Sequence, residues 1–153
     1  MADIVDKETR SRMMSGIRGK DTKPEIVVRK LLHSEGFRFR LHRKDLPGRP
    51  DIVLPKYRTA ILVHGCFWHG HDDCHLFRLP RSRTDFWQEK IAGNQARDRK
   101  NILLLHDLGW RTLEIWECAL KGKLKLETGP IAERICAFLE GRERADEISS
   151  KNR

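Results

Sequence analysis

The run DIVLPKYRTAILVHGCFWHGHDDCH, Asp51 to His75, decides how the rest of the chain is read. Asp51 to Leu54 is a short apolar strand entered through Pro50, Pro55-Lys56-Tyr57 turns the chain, and Thr59 to His64 is a second apolar strand. An acid at the head of one central strand, joined by a short hairpin to another, presents a carboxylate to a metal ion. The competing reading is that Asp51 only ends the turn, a place aspartate favours. The second strand runs into Val63–His75, where two of the four cysteines and four of the seven histidines fall within thirteen residues. Thiolates and imidazoles are the ligands Zn²⁺ prefers, and two cysteines and a histidine this close approach a tetrahedral site. The stretch holds more imidazoles than one such site needs. A spare histidine beside a metal knuckle is a candidate acid or base, because its charge changes near neutral pH. Phe67 and Trp68 read either as core or as a surface on which something stacks.

The composition narrows the class. At 153 residues the prior is one domain with a sizeable core. A net charge of +9 and a pI near 9.7 favour a polyanionic partner, nucleic acid or an anionic membrane. Met1–Arg10 opens on a charged run without an apolar segment, so no secretory signal is expected. No apolar run approaches the roughly 20 residues a membrane helix needs. Cys66, Cys74, Cys118 and Cys136 are even in number, but the clustering with histidines reads as metal rather than disulfides. A soluble, cytoplasmic protein is expected.

On the N-terminal side, residues 1–20 carry Arg10, Arg12, Arg18 and Lys20 around Met13, Met14 and Ile17. This reads as a loose terminus, the commoner case, or as a basic arm lying in a nucleic-acid groove. Thr22 and Glu25 form a capping box with Pro24 in the first turn. Val28, Leu31 and Leu32 give the helix a buried stripe, and Gly36 closes it. Glu25 thus has a purely structural reading as the reciprocal cap. Phe37, Phe39 and Leu41 alternate with Arg38, Arg40 and His42 as a half-buried strand with a basic outer face. Leu46 to Pro50 is a turn.

On the C-terminal side, Arg78, Arg81 and Arg83 surround Leu79-Pro80, with Phe77, Phe86 and Trp87 on both flanks. Basic loops usually just face water, but this mixture suits phosphate contacts and base stacking. Thr84/Asp85 cap a long helix to about Asp107, before Gly109. Its inward series is Trp87, Ile91, Asn94, Asp98, Ile102 and Leu105. A buried Asn or Asp is costly unless hydrogen-bonded, so Asn94 and Asp98 read as serving a site, against the alternative of a wetted helix face. Asp98 suits orienting a histidine by accepting its ring N–H. Trp110–Glu117 alternates as a strand, and Cys118, just past it, is the natural fourth zinc ligand. Gly129/Pro130 begin a last helix with Ile131, Ile135, Phe138 and Leu139 inward, where Cys136 reads as a buried inert thiol. From Glu140 the chain is charged and apolar-poor, the pattern of a loose tail.

Leu46-Pro47-Gly48-Arg49-Pro50-Asp51, His64-Gly65-Cys66-Phe67-Trp68-His69, the Thr84-Asp85-Phe86-Trp87 to Arg97-Asp98-Arg99 helix, and Gly109-Trp110 through Trp116-Glu117-Cys118 together resemble the very short patch repair (Vsr) endonuclease family. The resemblance runs in order from about Asp6 to Gly122. It implies an α/β, restriction-endonuclease-like fold of the PD-(D/E)xK type: a mixed central sheet flanked by helices, with a structural zinc knuckle. It also implies a Mg²⁺-dependent enzyme that nicks the thymine strand at T·G mismatches left by 5-methylcytosine deamination. By the resemblance, Asp51 bridges the metals, with the Val63 main-chain carbonyl as a further Mg²⁺ ligand. His69 lies near the scissile phosphate with Asp98 as its partner, Glu25 acts through metal-bound water, and His64 sits at the site edge. Cys66, His71, Cys74 and Cys118 match the structural zinc set. Phe67, Trp68 and Trp87 match the aromatics that wedge into the duplex, and the arm with Met14 matches one that lies against the minor groove.

Two departures stand out. The knuckle reads Trp68-His69-Gly70-His71-Asp72-Asp73-Cys74 where a histidine run belongs to the family pattern, so His71 competes with His75 or His69 as ligand. Val63 stands where a threonine is expected. Phosphodiester cleavage needs a deprotonated water, in-line geometry and charge neutralisation, the last two of which paired Mg²⁺ ions supply. Val63-His64-Gly65 occupies the place of the usual acid-x-lysine, leaving a histidine oriented by Asp98 to activate water. The organisation expected is a basic DNA-binding arm over 1–20, one nuclease domain over 21–140 and a charged flexible tail over 141–153. The expected partners are double-stranded DNA with a T·G mismatch, mismatch-repair proteins and a repair polymerase. No membrane, a monomer and a nucleoid-associated location complete the reading. The alternatives are a zinc-stabilised DNA-binding module without catalysis and a related nuclease of other mismatch specificity.

Overall fold

A computed structural model describes residues 21–151, and the expected arm with Met14 lies outside the described residues. Helix α1 (Lys23–Ser34) begins where the capping residues place it, with the Thr22 hydroxyl accepting from the Glu25 N–H at 3.4 Å. The reciprocal bond goes elsewhere than expected, because Glu25 Oε2 accepts from the Asp21 N–H at 2.6 Å. Val28 and Leu32 are fully buried and Leu31 half-buried. Gly36 follows the helix at φ +83°, a left-handed conformation that favours glycine.

The alternation from Phe37 yields less strand than expected. Only Arg40–Leu41 (β1) pairs, and Leu41 is 40% exposed. Its partner β2 (Ile52–Leu54) is short because it lies between Pro50 and the 3₁₀ turn Pro55–Tyr57. Phe37 and Phe39 still pack on the core, Phe37 edge-on to Tyr57 at 5.5 Å. The turn places Arg58 at φ +50° and returns the chain as β3 (Thr59–His64), antiparallel to β2.

Helix α2 (Thr84–Asp107) carries the chain across to β4 (Arg111–Trp116), parallel to β3 with His64 opposite Trp116. The expected Thr84/Asp85 cap is corrected. Arg83 occupies the cap position at φ +55°, and the Thr84 hydroxyl donates backwards to the Pro80 and Arg81 carbonyls. A short helix α3 (Glu117–Leu120) and helix α4 (Thr128–Glu140) follow.

The expected loose tail is also corrected, since Ala145–Ile148 forms β5, parallel to β4. One fully buried residue, Ile148, opposite Ile115, suffices because the β4 edge supplies the backbone partners. Cys136 is half-buried on α4 rather than fully enclosed, 4.0 Å from Glu35 Oε2.

The sheet order is β1-β2-β3-β4-β5. One face carries Ile52, Leu54, Ile61, Leu113, Ile115 and Ile148 against α1 and α4, the main core. Each such buried aliphatic side chain contributes roughly 1.5–3 kcal/mol. The opposite face, with Val53, Ala60 and Trp110, packs on Leu105 of α2 and holds the site at its other end. Among the described residues no helix is long and apolar enough to cross a membrane.

Candidate active site

Asp51 precedes β2, and its Oδ2 accepts from the Val63 N–H of β3 at 2.9 Å. Val63 therefore serves the site through its main chain, while its side chain packs on the core. Burial pushes the Asp51 carboxyl up to about 7; the adjoining Glu25 carboxyl adds to this, and the Val63 amide and His64 oppose it. Glu25 is only 3% exposed. Its Oε2 is held by the Asp21 N–H and by Arg29 Nη2 at 3.2 Å, and Arg29 also reaches Asp21 Oδ1 at 2.7 Å. Two adjoining acids, Glu25 buried and Asp51 half-buried, must either share a proton or hold a cation. That chemistry fits a divalent, oxygen-liganded metal such as Mg²⁺.

Facing these acids across one cleft of about 700 Å³ are His64, His69 and Asp98. His69 Nδ1 lies 2.5 Å from Asp98 Oδ2. An ionised carboxylate only accepts, so Nδ1 donates and Nε2 is left with its lone pair. His64 is committed in the same way, its Nε2 3.0 Å from Glu114 Oε1. The inward face of α2 positions Asp98 and also clamps the knuckle. Asn94 Nδ2 donates to the Trp68 carbonyl at 2.8 Å and Gln95 Nε2 to the Gly70 carbonyl at 2.9 Å. Gly70 has φ +58°, and a Cβ there would lie 2.5 Å from Ile91 Cγ2 and from Gln95 Nε2.

Cys66, His71, Cys74 and Cys118 bring one ligand atom each to within 4.8 Å of one another. His71 Nδ1 is 3.5 Å from both Cys66 Sγ and Cys118 Sγ. Of the three histidines left open, His71 is the one that lies with the cysteines; His75 is exposed beside Gly122, and His69 pairs with Asp98. Burial holds His71 below its ordinary pKa, in the neutral form a metal needs. The Cys66 thiol, hydrogen-bonding to Cys118, brings Cys118 down to about 4, helped by Ser150, and pushes Cys66 up. A cluster of three sulfurs and one imidazole that already favours a thiolate can hold zinc.

Phe67 stands edge-on to Trp68 at 5.1 Å and to Trp87 at 5.5 Å, so the three expected aromatics form one cluster. Phe67 and Trp68 line the cleft. Arg78, Arg81 and Arg83 are exposed and do not line it; Arg83 lies over the Phe86 ring at 4.5 Å. The cations that do are Lys23, Arg49, Lys90, Arg97 and Lys121. Sequence reading missed these because isolated basic residues on helices and turns look like ordinary surface. It also missed Glu114, whose strand alternation alone pointed to the same sheet face as His64.

A mixed sheet that brings a strand-head acid and histidines into one cleft, beside a Cys/His knuckle, is a restriction-endonuclease-like nuclease core. The sequence profile described as "DNA mismatch endonuclease Vsr" matches residues 2–76. DNA mismatch endonuclease Vsr of Escherichia coli strain K12 is 46% identical over 151 residues, 99% of this chain and 96% of that protein. The type II nicking enzyme V.XorIIP of Xanthomonas oryzae pv. oryzae is 51% identical over 127 residues, covering 83% and 93% of the two chains. The type II nicking enzyme V.NmeAIP of Neisseria meningitidis serogroup A is 49% identical over 123 residues, covering 80% and 87%. The chain belongs to the Vsr family of DNA mismatch endonucleases.

Proposed function

We propose that this protein nicks one strand of duplex DNA beside the thymine of a T·G mismatch formed by 5-methylcytosine deamination, and so opens a short repair patch. The observation that carries the reading is the pairing, across one cleft, of the adjoining Asp51–Glu25 acids with the His69–Asp98 pair. Asp51, with the Val63 carbonyl and with Glu25 nearby, would hold Mg²⁺. Bound there, Mg²⁺ supplies neutralisation of charge on the phosphate and the departing oxygen.

The chain's own groups do the rest. Asp98 holds the His69 Nδ1–H, so Nε2 of this cleft-lining ring is the acceptor for the proton of a water attacking phosphorus in line. Lys23, Arg49, Lys90, Arg97 and Lys121 give the backbone phosphates a basic bed. Phe67, Trp68 and Trp87 select a weakly paired step, which costs less to unstack, by a few kcal/mol at most. The Cys66–His71–Cys74–Cys118 cluster would hold Zn²⁺ and fix the loop bearing Phe67, Trp68 and His69. Met14 and the rest of the arm extend the DNA contact, with Arg78, Arg81 and Arg83 on outer phosphates. The protein acts as a monomer on the nucleoid and hands its nick to a repair polymerase and mismatch-repair proteins.

The test is a Mg²⁺-dependent nicking assay on strand-labelled duplexes carrying T·G or its T·A match. A nick beside the thymine of the mismatch alone is expected, lost in Asp51→Ala with binding retained. Tight, salt-sensitive binding without cleavage would instead identify a DNA-binding module, and equal cleavage of other mismatches would identify a nuclease of different specificity.

A further inference from the structure

Trp116, the last residue of β4, joins the two halves of the site. Its indole lies flat on the His71 imidazole, with centroids 3.9 Å apart and planes 6° from parallel. The same indole is 4.8 Å from the His64 ring, which in turn is 4.3 Å from the His69 ring. Four rings therefore run in contact from the Cys/His cluster to the cleft. Two strand carboxylates pin this column. Trp116 Nε1–H donates to Glu147 Oε1 at 2.8 Å, and His64 Nε2–H to Glu114 Oε1 at 3.0 Å. Glu114 and Glu147 are register partners on β4 and β5, so each of two adjacent acids receives one ring N–H.

A buried tryptophan is usually plain core. This one packs apart from the main core, with Cys66 and Cys118, Cys74 and Leu76 at its border. Its neighbours are the metal knuckle on one hand and the histidines of the cleft on the other.

We propose that Trp116 is a positioning residue. Stacked on His71 and touching His64, it sets the orientation in which His64 and His69 face the cleft, and Glu147 fixes the indole in turn. This rests on the nicking reading of the same site, and it adds a requirement that no residue touching DNA or Mg²⁺ discloses. A misplacement of an ångström at the reacting groups costs on the order of 10²-fold in rate. A loosened column should therefore lower kcat and leave KM alone.

The experiment compares Trp116→Leu, Trp116→Phe, Glu147→Ala and Glu147→Gln with the wild type. It reads kcat and KM on the T·G duplex, zinc per chain, and the histidine Cε1–H resonances by NMR. In Trp116→Leu, kcat should fall about 10–100-fold with KM unchanged and zinc retained. Trp116→Phe should recover most of the rate, because a flat ring still stacks. Glu147→Ala should show a smaller fall, and Glu147→Gln, whose amide oxygen still accepts the indole N–H, should approach wild type. The upfield ring-current shifts of His71 and His64 should vanish in Trp116→Leu, and the His69 resonance should move.

A zinc-loaded Trp116→Leu with kcat within about twofold of wild type would overturn the proposal. So would a rate loss that merely followed zinc loss. If Trp116→Leu does not fold, Glu147→Ala decides, since Glu147 lies on the exposed side of β5. Unchanged kcat and unmoved His64 and His69 resonances there would also overturn it. A wild type that did not nick would remove the nicking reading, and the resonances alone would then decide whether Trp116 orients the histidines.

Discussion

At Asp51 the fold makes a charge costly on purpose. In the unfolded chain this carboxyl titrates near 3.9, and in the fold at about 7. Between those values the fold carries a proton that the unfolded chain has lost. The stability of protein free of Mg²⁺ therefore falls as pH rises through that window and levels off above it. Asp51→Asn should remove this dependence. Its melting temperature should exceed that of the wild type near pH 8, the two should converge near pH 4, and Mg²⁺ should raise only the wild type. A gap that did not change with pH would mean that Asp51 is ionised throughout. The His69–Asp98 pair invites a second measurement. Asp98→Asn keeps the shape but no longer compels Nδ1 to carry the proton, so nicking should fall about 10²–10⁴-fold, as in His69→Ala. If the two act as a unit, the double variant should be no worse than His69→Ala. Additive losses would separate their roles.

At the scale of elements, α2 holds the knuckle against the sheet through Asn94, Gln95 and the space left by Gly70. Gly70→Ala must displace Ile91 or Gln95 at a strained φ, and should cost about 1–3 kcal/mol in denaturant melts. A neutral outcome would show that the loop relaxes freely. The same helix shows what could be read from the sequence. Its extent followed from Gly109 and from the Trp87-to-Leu105 spacing, and Asn94 and Asp98 gave themselves away as polar breaks in an apolar stripe. Its start did not, because Arg83 in the left-handed region leaves no cap signature. The hairpin, β4 and α4 were equally legible from their apolar patterns. β5 was not, since a strand that borrows an existing edge needs one buried side chain, too few to make a periodicity. Glu147 was invisible for the same reason: its partner, Trp116, lies 31 residues away.

For the molecule as a whole, charge and metal are the two levers. With a net charge of +9 and five cations on the cleft, the affinity for DNA should fall with added salt, by a slope of roughly −0.9 per phosphate neutralised. The preference for T·G over T·A should change far less, because stacking and mispairing carry it. A preference that collapsed with salt would place selectivity in the phosphate contacts instead. Elemental analysis should find one zinc per chain, reduced in Cys118→Ser together with thermal stability, and unaffected in Cys136→Ser, which lies outside the cluster. The reverse pattern would reassign the ligands. The exposed arginine loop between the knuckle and α2 divides all of this unevenly. Before it come Glu25, Asp51, His64, His69 and three of the four cluster residues; after it come Asp98, Trp116 and Cys118. A chain severed there would leave neither half with a complete set of ligands or a complete proton-handling pair. Fused to two other proteins, the silent halves would regain nicking only when their carriers meet, which makes the fold a natural split reporter of association written into DNA.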